Sequence, residues 1–414
     1  MIRLLGGRAG GAERLFCDLA NLLDGAGYDV TVVRCDTSPD PIPFALAPTV
    51  DQHNLWTRRA RARLRYRALD ALAAGYRPLR TRSAAAAAVF APADWLSKNL
   101  YFVRALRTYL RTACPDLVIS FLPPANTPSL LAGWLTGVAV VPTNHNVPAE
   151  DYDSPTRWDQ NPIDRALRRR SLAAATRIHV LFPSFAAWFP PELRDRVVAV
   201  PNGVAPEFLA PAPPVARRKV VVAAGRLADV KNYAVLVDAW AHVAPRFPDW
   251  RVEIHGTGPL EPTLAQQIAR LGLTASVRLC GHTSAMREVY RTSEIMAHPA
   301  KFEGFGLSAA EALASGCPVV AFADCAGIKE FVLDGTNGVM VDRAGGAPAF
   351  AAALARLIED EPLRARLRAG CGPSLADYTP DAFRARWTRL LSEDLGLRPG
   401  PPRANVGGNT GNPR

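Results

Sequence analysis

Apolar and polar positions alternate along this 414-residue chain in blocks, short apolar runs followed by stretches of helical composition. The runs predict strands near 29–34 (DVTVVR), 116–121 (DLVISF), 138–143 (VAVVPT), 177–182 (RIHVLF) and 197–201 (VVAVP). A second set follows near 219–225 (KVVVAAG), 251–256 (RVEIHG), 276–281 (SVRLCG), 294–299 (EIMAHP), 318–323 (PVVAFA) and 338–342 (GVMVD). Strands that are apolar along their whole length, with helices between them, predict parallel sheets covered on both faces. The fold class is α/β, doubly wound.

The two sets are separated at 202–218 (NGVAPEFLAPAPPVARR), which is rich in Pro and Ala, has no period and reads as a linker. The predicted organisation is two Rossmann-like domains, 1–205 and 206–380. The cleft between them is the default ligand site, because such sheets bind ligands outside the carboxyl ends of their strands. MIRLL leaves about five residues before Gly6-Gly7, room for only a clipped first strand. Residues 398–414 (RPGPPRANVGGNTGNPR) offer almost nothing to bury and read as a disordered tail.

Charge sharpens this picture by its position. The net charge is +11, and residues 54–111 alone hold 13 basic side chains (12 Arg and Lys98) against Asp70 and Asp94. That segment therefore carries +11, and the rest sums to zero. Arg61, Arg63, Arg65 and Arg67 alternate with apolar residues at a strand-like period, but the residue types favour helix. Around a helix these arginines would spread over all faces, so deep membrane insertion is not indicated. The segment is either a solvated surface or, over Arg58–Arg82, a patch for an anionic membrane or a lipid diphosphate. The longest apolar stretch, 129–141, has about 13 residues where a span needs roughly 20. The start has no apolar signal region, and seven cysteines form no C-x-x-C pair. A cytoplasmic location is expected, with peripheral attachment to the inner face of the cytoplasmic membrane as its extension.

Four stretches could carry chemistry. In 301–316 (KFEGFGLSAAEALASG), Glu303 and Glu311 are separated by seven residues, and Gly304-Phe305-Gly306-Leu307 leads into a helix starting near Ser308. Free N–H groups at such a start attract phosphate, and a carboxylate in the first turns could accept from two sugar hydroxyls. The structural alternative is a capping box, since Ser308-x-x-Glu311 has its form. In 220–232 (VVVAAGRLADVKN), a buried strand ends at Gly225, and Arg226 and Lys231 follow. Two cations there would stabilise a departing diphosphate, or they are a solvated pair; Lys231 is one of only five lysines. Gly256-x-Gly258 could pass close to a base or ribose. Gly10-Gly11 opens the first predicted helix.

In this order and spacing, G-G-A-E-R, G-R-(x4)-K-N, G-x-G-P and E-G-F-G-(x4)-E-A-(x2)-S-G resemble the family 4 retaining glycosyltransferases of the GT-B fold. The resemblance runs from Gly6 to about Asp342 plus the closing helix. Less specific stretches are similar to bacterial enzymes that extend polysaccharide or lipid-linked sugars. The implied reaction moves a sugar from a nucleoside diphosphate sugar, UDP by family frequency, to a hydroxyl of a glycan or lipid-linked glycan.

The resemblance implies that Arg226 and Lys231 bind the donor diphosphate, with Gly225 before them. Glu311 would hold the ribose hydroxyls. Glu303 would contact the donor sugar, with Gly304 to Leu307 giving backbone N–H groups, while Gly10 and Gly11 approach the phosphates from the other domain. His145 loosely matches a His beside the reacting sugar; a satisfied structural His is the alternative. The last helix, 381–395, with apolar residues at 383, 387, 390, 391 and 395, would pack back on the first domain. Asp151-x-Asp153 is read as solvated or acceptor-side. No metal or cofactor and no nucleic acid is expected. The competing readings are an epimerase or phosphorylase of the same architecture and a non-catalytic nucleotide- or nucleic-acid-binding module.

Overall fold

The computed structural model describes residues 1–7, 10–38, 40–57, 64–74, 76–80, 84–155 and 157–400. The chain forms two compact units: Met1–Val200 together with the residues from Arg384 onward, and Pro201–Phe383.

Unit 1 contains β1 (Thr31–Arg34), β2 (Asp51–Asn54), β3 (Leu117–Phe121), β4 (Ala139–Thr143), β5 (Ile178–Val180) and β6 (Val197–Ala199). β1 pairs with β2, and β3-β4-β5-β6 form a second run, all parallel. The first residues join the two. Ile2 bridges Arg34 on one side and Phe121 on the other, in parallel sense, and the Met1 ammonium donates to Ile119 O at 2.6 Å. The opening segment thus contributes one bridging residue at a central place in the sheet, with Ile2 and Leu5 fully buried. Strand β2, DQHN, was not predicted: it has three exposed residues and no apolar alternation, because it is an edge with little to bury.

Unit 2 contains β7 (Arg218–Ala224), β8 (Arg251–His255), β9 (Val277–Gly281), β10 (Ser293–His298), β11 (Val319–Phe322) and β12 (Gly338–Val341). Their order is β12-β11-β10-β7-β8-β9, every pair parallel. Sequence order runs outward in both directions from the β7–β10 boundary, which is the switch point of a doubly wound sheet. Val221, Ala223, Val252, Ile254, Ile295, Ala297, Val320 and Phe322 belong to one core with Trp240, Leu236, Phe350 and Leu354 of the helices Tyr233–Val243 and Gly346–Glu359. Val222, Met296, Val319 and Ala321 are equally buried, which is why these strands read as unbroken apolar runs.

Several expectations need correction. The two compact units divide at 200/201, five residues before the expected 205/206, and the expected linker is packed. Val204 and Phe208 are buried, residues Pro206–Leu209 make a helical turn, and Phe208 lies against Tyr290. Arg217 donates to the carbonyls of Tyr290, Ser293 and Ser315. The expected disordered tail begins with ordered residues, since Gly400 N donates to Gly27 O at 2.9 Å; 401–414 lie outside the described residues. The helix Pro380–Arg389 crosses from one unit into the other. Beyond the crossing Trp387 stacks on His179 in unit 1, and Leu390 and Leu391 are buried.

In the basic segment, helices cover Leu64–Ala74, Tyr76–Arg80 and Ala84–Ala113. Arg58, Arg59, Arg61, Arg63 and Arg82 lie outside the described residues. No helix among the described residues is long and apolar enough to cross a membrane. All seven cysteines are free.

Candidate active site

The site in unit 2 is assembled at the switch point. β7 ends at Ala224, and β10, its neighbour, ends at His298. The segments leaving these two carboxyl ends carry Lys231 and Glu303, 72 residues apart in sequence, and the Lys231 ammonium donates to Glu303 Oε1. A side chain at Gly225 would block this. A Cβ there would stand 3.0 Å from Lys231 Cε and 3.0 Å from the Tyr233 hydroxyl, at a φ of +144°. His298, 3% exposed, brings Nε2 to 3.5 Å from the same Glu303 oxygen.

Burial pushes the Glu303 pKa up, but Lys231 and His298 outweigh it, and the carboxyl is held down at about 2. Burial, and then the Glu303 charge, push the Tyr233 phenol well above its ordinary range. The site is therefore a carboxylate held ionised beside the Lys231 side chain, with a neutral phenol at its wall.

The other motif residues surround this pair in different ways. The Arg226 guanidinium is exposed and makes no hydrogen bond or ion pair among the described residues. Gly306, at φ +91°, is the N-cap of the helix Leu307–Ala314; a Cβ there would stand 2.3 Å from Ile328 Cδ1. Ser308 is therefore inside the helix, and the capping-box reading of Ser308 and Glu311 fails. Its hydroxyl is buried with no hydrogen-bond partner. The first N–H groups of a helix have no intrahelical partner either, so this terminus presents unused donors. Phe305 turns inward onto Phe331 and Tyr378, anchoring the turn, and Gly304 is buried with it. Glu311 stands on the second turn, near enough to Tyr290 to push that buried phenol further up.

Gly256 and Gly258 have a reason that the motif does not display. A Cβ on Gly256 would lie 2.1 Å from Gly225 O, and one on Gly258 2.4 Å from Leu227 O. The loops after β7 and β8 are bonded together through Gly225 N to His255 O, Leu227 N to Thr257 O and Leu260 N to Leu227 O. These glycines let one loop lie on the other.

Gly10, Gly11 and His145 belong to unit 1, so the Lys231–Glu303 cluster is built without them. Gly10 is the N-cap of the helix Gly11–Gly25. His145 follows β4; its Nε2 meets Thr143 Oγ1 at 2.9 Å and its ring stacks on Phe121 at 4.5 Å, with His179 5.4 Å away. Burial, with His179 adding to it, holds the His145 pKa well below the usual imidazole value. A cavity of ≈ 420 Å³ in this unit is lined by Trp56, Tyr101, Phe102, Trp158, Lys98 and Asp159 among others.

Of the two readings of Asp151-x-Asp153, solvated or acceptor-side, the solvated one fails for Asp151, while the Asp153 side chain is 41% exposed. Asp151 is 1% exposed and accepts from Trp158 Nε1 at 2.9 Å, while Asp153 accepts from Trp188 Nε1 at 2.6 Å. The two carboxylates serve different indoles. Sequence reasoning also missed His298, whose signal is a lone polar residue closing the apolar run IMAH, and it saw no metal-ligand spacing. The strands nevertheless bring Glu253, His255 and Cys280 together, with one ligand atom from each lying within 4.8 Å of the others.

Two parallel doubly wound units, one with a charged cluster at its switch point, are the architecture of the GT-B fold class. Sequence comparison specifies it further. The model described as Glycosyltransferase Family 4 matches residues 9–208, and that of Glycosyl transferases group 1 matches 206–370. The chain belongs to the family 4 glycosyltransferases.

An amylovoran biosynthesis glycosyltransferase of Erwinia amylovora is 31% identical over 173 residues, 42% of this chain and 48% of that protein. A D-inositol 3-phosphate glycosyltransferase of Xylanimonas cellulosilytica is 35% identical over 227 residues, 50% of this chain and 53% of that one. The chain thus matches about half the length of these curated relatives. Among solved structures, Anabaena HepE in complex with UDP superposes with a TM-score of 0.68 at 18% identity, over 94% of this chain and 98% of that one.

Proposed function

We propose that the chain transfers a sugar from a nucleoside diphosphate sugar, UDP as the nucleotide, to a hydroxyl of a glycan or lipid-linked glycan, with retention of anomeric configuration. The observation that carries this reading is the Lys231–Glu303 pair at the switch point beside the helix Leu307–Ala314. Separation of the sugar from its diphosphate develops positive charge on the sugar and negative charge on the leaving oxygen. A carboxylate held ionised by its neighbours suits the sugar hydroxyls. The ammonium, the Arg226 guanidinium and the first N–H groups of the helix Leu307–Ala314 suit the phosphates. Glu311 takes the ribose hydroxyls. The unpaired guanidinium of Arg226 and the unpartnered hydroxyl of Ser308 support donor binding, because both have capacity left for a ligand. UDP is chosen because HepE, of similar fold, binds it.

The acceptor is assigned to unit 1. Its aromatic cavity offers flat faces for sugar rings, and His145, neutral at working pH, is placed by its sheet-end position to accept a hydroxyl proton. Gly10 and Gly11 allow close approach of a ligand to their helix start. The arginines of 58–82 attach the protein to an anionic leaflet; liposome sedimentation with Arg58, Arg59, Arg61 and Arg63 changed to Ser tests this, and unchanged binding removes it.

A thermal-shift panel of UDP-, GDP- and ADP-sugars tests the donor. A nucleotide at a hundred times its Kd stabilises by about 2.7 kcal/mol, and only the UDP set is expected to act. Hydrolysis or interconversion of the sugar without an acceptor would instead point to an epimerase or phosphorylase.

A further inference from the structure

On unit 2, on the neighbouring strands β8 and β9, stands a second constellation, which the transfer reaction does not use. Glu253 and His255 are two residues apart on β8 and so share one face of the sheet; Cys280 comes from the adjacent strand β9. His255 Nε2 lies 3.7 Å from Glu253 Oε2. His255 is 9% exposed, and neither of its ring nitrogens has a hydrogen-bond partner. A buried imidazole with a carboxylate beside Nε2 and no hydrogen bond at either nitrogen has coordinating capacity left, which an ion would use.

The donors are an imidazole nitrogen, a carboxylate oxygen and a thiol sulfur. This mixture suits zinc and the other borderline divalent ions and not magnesium or calcium, which take oxygen alone. Ligands bonded to one zinc at about 2.0–2.3 Å stand about 3.3–3.8 Å apart in a tetrahedron. The His255–Glu253 separation of 3.7 Å is within about half an ångström of what a nitrogen–oxygen pair needs, and with all three atoms within 4.8 Å the thiol must close by about an ångström.

The geometry points to a divalent transition-metal site of zinc type at Glu253, His255 and Cys280, with a fourth position open to water. Two of its ligands, His255 and Cys280, immediately precede Gly256 and Gly281. Gly256 N donates to Gly281 O, and Gly225 N to His255 O, so a bound ion braces the loops that carry Gly256 and Arg226 and does not take part in transfer. Arg218 sets its character. The guanidinium holds both Glu253 oxygens, at 2.8 and 3.2 Å, and is itself 47% exposed. It orients the carboxylate as outer partners of metal ligands do, while its charge opposes the ion, so the site is an exchangeable one.

The test is titration of chelator-treated full-length protein with Co(II), followed by displacement with Zn(II). One equivalent is expected to bind, with the near-ultraviolet sulfur-to-cobalt absorption of a thiolate ligand. Cys280→Ser should abolish that absorption, and His255→Gln should weaken Co(II) binding at least tenfold. Cys114→Ser, which removes the exposed thiol elsewhere, should change neither. Zn(II) should raise the melting temperature of the wild-type chain and not that of Cys280→Ser. Absence of stoichiometric binding to the wild-type chain overturns the proposal whatever the variants do, as does an absorption that survives Cys280→Ser.

Discussion

The carboxyl ends of the two sheets are built in opposite chemical styles. In unit 2 the switch point holds an ion pair, Lys231 with Glu303, backed by His298. In unit 1 the corresponding region holds a stack of neutral rings: His145 on Phe121, His179 beside it, and Trp387 on His179. Both are largely shielded from water, the Lys231 and Glu303 side chains being 18% and 16% exposed, and this raises the cost of charge in both places. Unit 2 offsets that cost with a partner of opposite sign, and unit 1 avoids it by keeping its histidines uncharged. A charged end suits a diphosphate sugar, and an aromatic, uncharged end suits a hydroxyl acceptor.

The comparison breaks most sharply at the ion pair. Glu303→Gln and Lys231→Ala are each expected to lower kcat/KM for transfer by about 10²–10³, with circular dichroism unchanged. Glu311→Gln should also reduce transfer sharply. Full activity in all three would remove the donor-site assignment.

The next effect is on the fold of unit 2. Gly256→Ala places a Cβ 2.1 Å from Gly225 O at φ +136°. It should cost about 2–3 kcal/mol, read as a lowered denaturation midpoint.

Acid separates the two styles. The Glu303 pKa is depressed from 4.5 to about 2, so its contribution is complete above pH 4.5 and is lost as pH falls toward 2. The buried His179 imidazole is depressed from 6.5 to about 4, so its contribution is complete above pH 6.5 and is lost as pH falls toward 4. Each shift corresponds to about 3 kcal/mol. Hydrogen exchange, corrected for intrinsic rate, should therefore show peptides around His179 and Trp387 opening at higher pH than those around Lys231 and Glu303. Simultaneous opening would undo the contrast.

The smallest effect serves as the control. Lys301 pairs with Asp229 at 2.6 Å, but both are exposed. Lys301→Ala should change stability by no more than about 1 kcal/mol and leave transfer intact, two residues from Glu303.

Much of the fold was legible because buried parallel strands announce themselves. KVVVAAG, EIMAHP and PVVAFA have no polar side to confuse their reading, and the structure makes them β7, β10 and β11. DQHN carries no such signal, because an edge strand in contact with solvent needs no apolar face. The linker reading of 202–218 failed for a related reason: Pro and Ala composition marks a lack of long periodic structure, and Phe208 packs from a single helical turn. In the site, the motifs identified Lys231 and Glu303 as chemically apt, and nothing in their spacing showed that they touch. His298 and the Glu253–His255–Cys280 cluster passed unread because each depends on which strands are neighbours.

The sequence by itself determined the local facts: where the chain is apolar on both faces, where it turns on glycine, and which side chains could meet a phosphate. Tertiary structure decided the partnerships. Whether Lys231 is a solvated cation or the mate of Glu303 depends on β7 lying beside β10. Whether Asp151 is solvated or buried depends on where Trp158 folds. Coulombic and hydrogen-bond energies act over a few ångströms of space, and 72 residues of chain separate Lys231 from Glu303 until the sheet closes that distance.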